Sequence, residues 1–134
     1  MGVAQSVVFP EWLTDAQLEG LYALASAFVL PSFEEGFGLP VLDAMRRGVP
    51  VACSGVSALP EVAGDAALLF DPYADDEIAR ALRRLLEDRA FADELVARGR
   101  RRWRDFSWEA TARSTLDTYR RAIADRRFLS WDRR

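Results

Sequence analysis

Histidine and lysine are absent from the 134 residues, and all 18 basic side chains are arginine. Without His the chain lacks the commonest general base and metal ligand. Without Lys it lacks a Schiff-base nucleophile and the lysine of a P-loop. The single cysteine, Cys53, excludes an internal disulfide framework and a multi-Cys zinc site. Its setting, Val51-Ala52-Cys53-Ser54, reads as a buried strand end where the thiol acts as a small hydrophobe. No apolar run approaches the roughly 20 residues that span a bilayer. The opening Met1-Gly2-Val3-Ala4 has no basic segment followed by an apolar one, so it reads as an artificial start or an internal cut and not a signal peptide. A basic surplus is missing too: the formal net charge is -3, which argues against nucleic acid as a partner. Internal repeats and low-complexity linkers are also lacking. Any chemistry must rest on carboxylates, arginines, hydroxyls and backbone amides.

What is present is an ordinary globular balance: 50% hydrophobic and 29% charged residues, with four Trp and eight Phe to fill a core. The length allows one domain or less. Ser6-Val7-Val8-Phe9 reads as a short buried strand. Thr14 and Gln17 have capping-box spacing, with Leu13 and Leu18 at staple positions, before an amphipathic helix over 15–26 carrying Leu18, Leu21, Tyr22 and Ala25. Ala27-Phe28-Val29-Leu30, ended by Pro31, suits a strand buried on both faces, as in a parallel sheet. A glycine-rich loop, Phe33 to Gly38, leads into a helix over about Pro40 to Arg47, closed by Gly48. Val49 to Cys53 and Ala67 to Phe70 read as further strands, with one helical turn at Leu59–Ala63 between them. Beyond Asp71 the pattern is helical. Ile78, Leu82, Leu85 and Leu86 form one apolar face, Phe91, Leu95 and Val96 begin a second helix, and Ser107 caps a third whose stripe runs through Tyr119 and Ile123. This alternation predicts an α/β fold, a parallel sheet flanked by helices with a helical C-terminus.

The informative stretch is Pro31-Ser32-Phe33-Glu34-Glu35-Gly36-Phe37-Gly38-Leu39-Pro40-Val41-Leu42-Asp43. It follows a strand and opens a helix, the place where open α/β sheets bind ligands. A helix start offers unpaired N–H groups and the positive end of the dipole, which favour phosphate. Gly36 and Gly38 let the backbone approach a ligand, and Pro40 fits the first helical position. Glu35 and Asp43 are acids that accept hydrogen bonds from vicinal hydroxyls. The array suits a sugar attached to a diphosphate. The competing interpretation is a tight turn whose glycines serve geometry alone.

The run from Glu35 to Asp43 resembles the Glu-x7-Glu signature of family 4 (group 1) retaining glycosyltransferases of the GT-B fold. Leu21-Tyr22-Ala23, Ala27-Phe28-Val29-Leu30-Pro31-Ser32, Glu35-Gly36-Phe37-Gly38-Leu39-Pro40, Gly48-Val49-Pro50-Val51, Leu59 to Ala67 and Phe106-Ser107-Trp108 follow the same pattern in order. The resemblance covers roughly residues 6–125. It implies that residues 1–127 are part of a Rossmann-like C-terminal, donor-binding domain, and that 128–134 form a tail. It implies that Glu35 contacts the donor hexose as the catalytic carboxylate, and that Gly36, Phe37, Gly38 and Leu39 reach the sugar and diphosphate. Asp43 stands where the family has a Glu for the ribose hydroxyls, with the same charge on a side chain one methylene shorter. Pro10-Glu11-Trp12 loosely resembles the segment lining the nucleobase.

The implied activity is metal-independent hexosyl transfer from a nucleotide sugar, with no cofactor and with retention of configuration. The partners implied are the nucleotide sugar and an N-terminal acceptor domain that these residues do not supply, so the chain alone is expected to be inactive. The alternative is a non-catalytic Rossmann-like module that self-associates. A dinucleotide enzyme or sugar epimerase is a weaker third, because Phe9-Pro10-Glu11-Trp12 lacks the Gly-x-Gly-x-x-Gly fingerprint. The basic run Arg98 to Arg104 reads as a solvated helix face with Trp103 turned inward, and peripheral contact with an anionic membrane is the residual interpretation. The setting expected is the cytoplasm, or the inner face of its membrane. The tail, with Phe128 and Trp131 outside any clear helix, is expected to pack on something further.

Overall fold

The computed structural model describes residues 2–125. The expected tail with Phe128 and Trp131 lies outside them. The elements run α1 (Asp15–Leu24), β1 (Phe28–Leu30), α2 (Leu39–Arg47), β2 (Val51–Ser54), α3 (Leu59–Ala63), β3 (Leu68–Phe70), α4 (Asp75–Glu87), α5 (Arg89–Arg102) and α6 (Trp108–Ala124). Single 3-10 turns lie at Ala4–Ser6 and Trp103–Asp105. The three strands form a parallel sheet with β2 in the middle. Parallel neighbours need crossovers, and α2 and α3 provide them.

Strand alternation sorts the core into two layers. Val51 and Cys53 of β2, with Phe28 and Leu30 of β1, face Val41, Ala44 and Met45 of α2 and Leu59 and Ala63 of α3. Ala52, Val29 and Leu68 point the other way, onto Ala81 and Leu85 of α4 and Leu95 of α5. The period of two along each strand therefore places one helical layer on each face. Among the described residues Ser54, at the end of β2, is the buried polar one, and its hydroxyl donates to the Leu30 carbonyl at 3.2 Å. Cys53 is fully buried, as expected, and burial pushes its thiol up to about 11.

The caps are where the sequence places them. Thr14 Oγ1 accepts from the Gln17 amide while the Gln17 side chain accepts from the Thr14 amide. Gly48 closes α2 in the left-handed conformation, and Ser107 accepts from the Ala110 amide at the start of α6.

Several expectations are corrected. Ser6 to Phe9 is not a buried strand: Ser6 belongs to the 3-10 turn, and Val8 and Phe9 are exposed. An apolar run becomes a strand only against a partner, and among the described residues none pairs with it. β1 is half-buried and not enclosed on both faces, because it is an edge of the sheet. α1 ends at Leu24 and has no buried residue, so Leu18 and Leu21 of its apolar face are exposed. Leu86 is 60% exposed; one position past Leu85, it is turned about 100° away from the core face. Tyr119 and Ile123 do form a stripe on α6, but it is uncovered.

Trp103 turns inward onto the core, as expected. The arginines around it are more than a solvated face. Arg102 donates from Nε to the Val62 carbonyl and from Nη2 to the Glu61 carbonyl, at 3.0 and 2.7 Å, and Arg98 donates to the Asp65 carbonyl at 3.1 Å. Arg102 thus satisfies carbonyls that the short helix α3 leaves open at its end, and Arg98 one in the loop just beyond it. Among the described residues no helix is long and apolar enough to cross a membrane.

Candidate functional site

The loop after β1 sits at the carboxyl end of the sheet and feeds directly into α2. Gly38 is the N-cap, with φ 100° and ψ 37°, and it is buried. A Cβ there would lie 2.7 Å from Leu59 Cδ2 and 3.9 Å from Glu35 Cγ. The helix begins at Leu39, one residue before the expected start, so Pro40 occupies the second helical position. Its missing N–H still costs nothing, since the first amides of a helix have no intrahelical acceptor. The amides of Gly36, Phe37, Gly38 and Leu39 have no hydrogen-bond partner among the described residues. Unpaired N–H groups at the positive end of the α2 dipole are suited to an anion.

Phe37 is half-exposed and meets Phe106 edge-to-face, with ring centroids 5.9 Å apart. Behind Phe106, the Arg102 guanidinium carbon lies 4.8 Å from the ring centroid. The loop is thus propped on two sides: Leu59 of α3 under Gly38, and the Arg102–Phe106 stack beside Phe37. A groove of about 450 Å³ runs along α2, with Phe37, Leu39 and Asp43 on one wall and Trp103, Phe106 and Trp108 on the other. The structure therefore brings Phe37, Leu39 and Asp43 together. Glu35 and Gly36 do not line this groove. Glu35 is half-buried at the neck of the loop beside Gly38, and Gly38 lies beneath as the cap. Glu34 is exposed. Trp12 is also exposed and stands away from the groove. A larger hollow, about 620 Å³, opens at the opposite end of the sheet before β1 and β2 begin, and contains none of the expected site residues. The unpartnered amides are at the other end of the sheet.

Asp43 is exposed, but it is not free. Arg47, one turn along α2, donates from Nη1 to Asp43 Oδ1 at 2.8 Å and to the Asp43 carbonyl at 3.0 Å. The same guanidinium grips Glu19 of α1 through Nε, at 2.8 Å, and Nη2. Its central carbon lies 4.6 Å from the Tyr22 ring centroid. The hydrogen bond from Arg47 holds the Glu19 carboxyl below its ordinary range, and the same bond raises Arg47. Burial, with the Asp43 charge second, raises the Tyr22 hydroxyl. The sequence reading missed this network. The spacing of four between Asp43 and Arg47 is a visible helical pair, whereas nothing in the chain announces Glu19, 28 residues away. It also missed the tilted aromatic pair Phe33 and Tyr73, with ring centroids 4.8 Å apart, which joins the loops after β1 and β3 at the same end of the sheet.

Amides without partners, acids on either side and aromatic walls together suit a ligand with an anionic centre and hydroxylated flanks. Among the described residues, no group of three or more His, Cys, Asp or Glu could hold a metal ion.

Residues 1–102 match the protein family described as Glycosyl transferases group 1. The chain is 46% identical over 109 residues to O-antigen chain mannosyltransferase B of Escherichia coli, covering 81% of this chain and 29% of that protein. It is 40% identical over 126 residues to a D-inositol 3-phosphate glycosyltransferase of Nocardioides sp., covering 92% of this chain and 28% of that one. The fold superposes on sucrose-phosphate synthase from Thermosynechococcus elongatus with a TM-score of 0.78 and 34% identity, over 91% of this chain and 31% of that structure. The chain thus spans less than a third of the length of each of these relatives.

Proposed function

This chain belongs to the group 1 glycosyl transferases, and on that footing we propose that it is the donor-binding part of a retaining hexosyltransferase. The observation that carries the proposal is the run of unpartnered amides from Gly36 to Leu39 at the mouth of α2, with acids at its two flanks. The diphosphate of a nucleotide sugar rests against Gly36, Phe37, Gly38 and Leu39. Glu35, beside the cap, holds hydroxyls of the hexose and is the catalytic carboxylate. Asp43, one turn into the helix, accepts from the ribose. In transfer, the bond between the anomeric carbon and the diphosphate oxygen breaks, and the diphosphate leaves with the electron pair. The acceptor hydroxyl passes its proton to the departing diphosphate oxygen as its own oxygen bonds that carbon on the same face. The charge developing on the diphosphate meets fixed amide dipoles that need no reorganisation, the arrangement that stabilises such a departure best.

Calorimetry with UDP-, GDP- and ADP-linked hexoses tests this. One series should bind, and Glu35→Gln should weaken the sugar nucleotide while leaving the free nucleoside diphosphate little changed. Equal loss of both ligands would remove Glu35 from the hexose. The same titration in EDTA should give an unchanged affinity, since the dipole of α2 takes the part a metal would play; a large loss would show that an ion is needed. The 134-residue chain alone, whose described residues form a three-stranded sheet, is expected to transfer no sugar, and steady turnover by it would reject that expectation.

A further inference from the structure

Every nitrogen of the Arg47 guanidinium is engaged, and it is the only described side chain that ties Asp43 to another helix. Two of its nitrogens form a fork on Glu19, the third donates twice to Asp43, and the plane lies against Tyr22. Its side chain is 15% exposed, whereas those of Glu19 and Asp43 are each about half exposed, at 53% and 51%. An isolated surface ion pair has little hold on its partners. Here the planar fork, the ring beneath it and anchors on two separate helices restrict the guanidinium to one pose. That pose engages Oδ1 of Asp43 and leaves Oδ2 without a partner among the described residues. Arg46 lies 3.9 Å from Glu19 and adds a second positive charge on the same side.

We infer that Arg47 is a positioning residue for the donor's ribose: it holds Asp43 so that one carboxylate oxygen faces α1 and the other accepts from a single ribose hydroxyl, with Glu19 setting the pose. The inference rests on the assignment of Asp43 to the ribose. An unrestrained Asp would trade between two vicinal hydroxyls and solvent. A restrained one, short by a methylene, grips one hydroxyl selectively. The rival account is that Arg47 only staples α1 onto α2.

The two accounts differ in ligand discrimination. The probe is whichever of UDP, GDP and ADP the protein binds, compared with its 2′-deoxy and 3′-deoxy forms, by calorimetry on the protein with any flanking chain retained. One deoxy form should bind roughly ten- to a hundredfold more weakly, the effect of losing a hydrogen bond to a charged group. In Arg47→Gln and Glu19→Gln that ratio should fall toward one, while affinity for the weaker deoxy form changes less than about twofold because it makes no such bond. Arg47→Lys keeps the charge but not the fork and should also lose the ratio. Glu19 is exposed, so its variant tests the idea even if Arg47→Gln unfolds. A ratio that Arg47→Gln and Glu19→Gln leave unchanged, with all ligands weakened together or none, makes Arg47 a staple and overturns the inference. A ratio that rises means Arg47 competes with the ribose, and overturns it too. Asp43→Asn separates the layers. If it collapses the ratio where the Arg47 and Glu19 variants do not, the positioning role alone is wrong. If it leaves the ratio untouched, Asp43 does not hold the ribose, and the underlying assignment falls with the inference.

Discussion

At position 38 a side chain meets two separate obstacles. The backbone is left-handed, with φ 100°, and the Cβ would lie 2.7 Å from a methyl carbon of the fully buried Leu59. Gly38→Ala should therefore lower stability by about 2–3 kcal/mol in urea unfolding, from strain and overpacking together. It should also abolish measurable binding of the diphosphate, because the amides turn with the backbone. A variant as stable as the parent would mean that the cap relaxes freely. Cys53 offers a second test. Its thiol is raised from 9.0 to about 11 by burial, so the folded state holds the proton more tightly than the unfolded chain. The stability this gives is complete below pH 9 and drains away as pH climbs toward 11, by at most about 1.4 kcal/mol per pH unit. The difference in unfolding free energy between the parent and Cys53→Ala should be flat below pH 8 and shrink above 9. A difference that stays flat to pH 11 would mean the thiolate reaches water. The need for glycine at 38 was legible, because a strand end, two glycines and a proline leave few other geometries. The tie from Asp43 to Glu19 was not, since a partner 28 residues away becomes a neighbour only once α1 has docked.

The elements differ in what maintains them. α2 buries Val41, Ala44 and Met45 in the core and would persist with a poor cap, whereas α1 has no buried residue and depends on its Thr14–Gln17 box, the half-buried Tyr22 and the Arg47 fork. Thr14→Ala should cost about 1 kcal/mol of local helix stability, the usual value of a lost side-chain cap. Hydrogen exchange is the measurement that sees it: amides from Leu18 to Leu24 should exchange roughly five times faster, with those of α2 and β2 unaffected. Equal acceleration in both would mean that α1 unfolds only with the whole domain. Helix ends were readable because caps are local chemistry, and Thr14, Gly48 and Ser107 each act within a few residues of themselves. Strands were less so. Val7 to Phe9 has the composition of a strand and lies exposed, and β1 is half-buried where full enclosure was expected. Whether an apolar run pairs is decided by a neighbour, and a neighbour is a property of the sheet and not of the run.

At the scale of the whole molecule, two apolar surfaces lack cover among the described residues. One is on α1, at Leu18, Leu21 and Leu24, with Phe9 and Trp12 exposed in the segment before it. The other is the stripe of Leu116, Tyr119 and Ile123 on α6, with Trp108 near its start. The α/β class and the parallel sheet could be read from strand–helix alternation, but the amphipathic patterns of α1 and α6 say only which face wants cover and not what supplies it. The region these relatives share with this chain is 29% and 28% of their length, so in them these faces have much more chain available to meet. In the 134-residue chain produced alone, a formal charge of -3 gives little mutual repulsion, and contiguous apolar surface favours association. Sedimentation velocity should show a weight-average mass that rises with concentration, as mass action requires of weak self-association. Ile123→Glu and Tyr119→Glu, both at exposed positions where the fold asks nothing of the side chain, should return the chain toward monomer, and Leu24→Glu should do the same from the α1 side. The substitutions also separate the two surfaces: if only the α6 pair acts, that helix is the contact and α1 is a bystander. A chain that remains monomeric at every concentration and binds no hydrophobic dye would show these stripes to be too narrow to drive association, and the case for either as a contact surface would go with it.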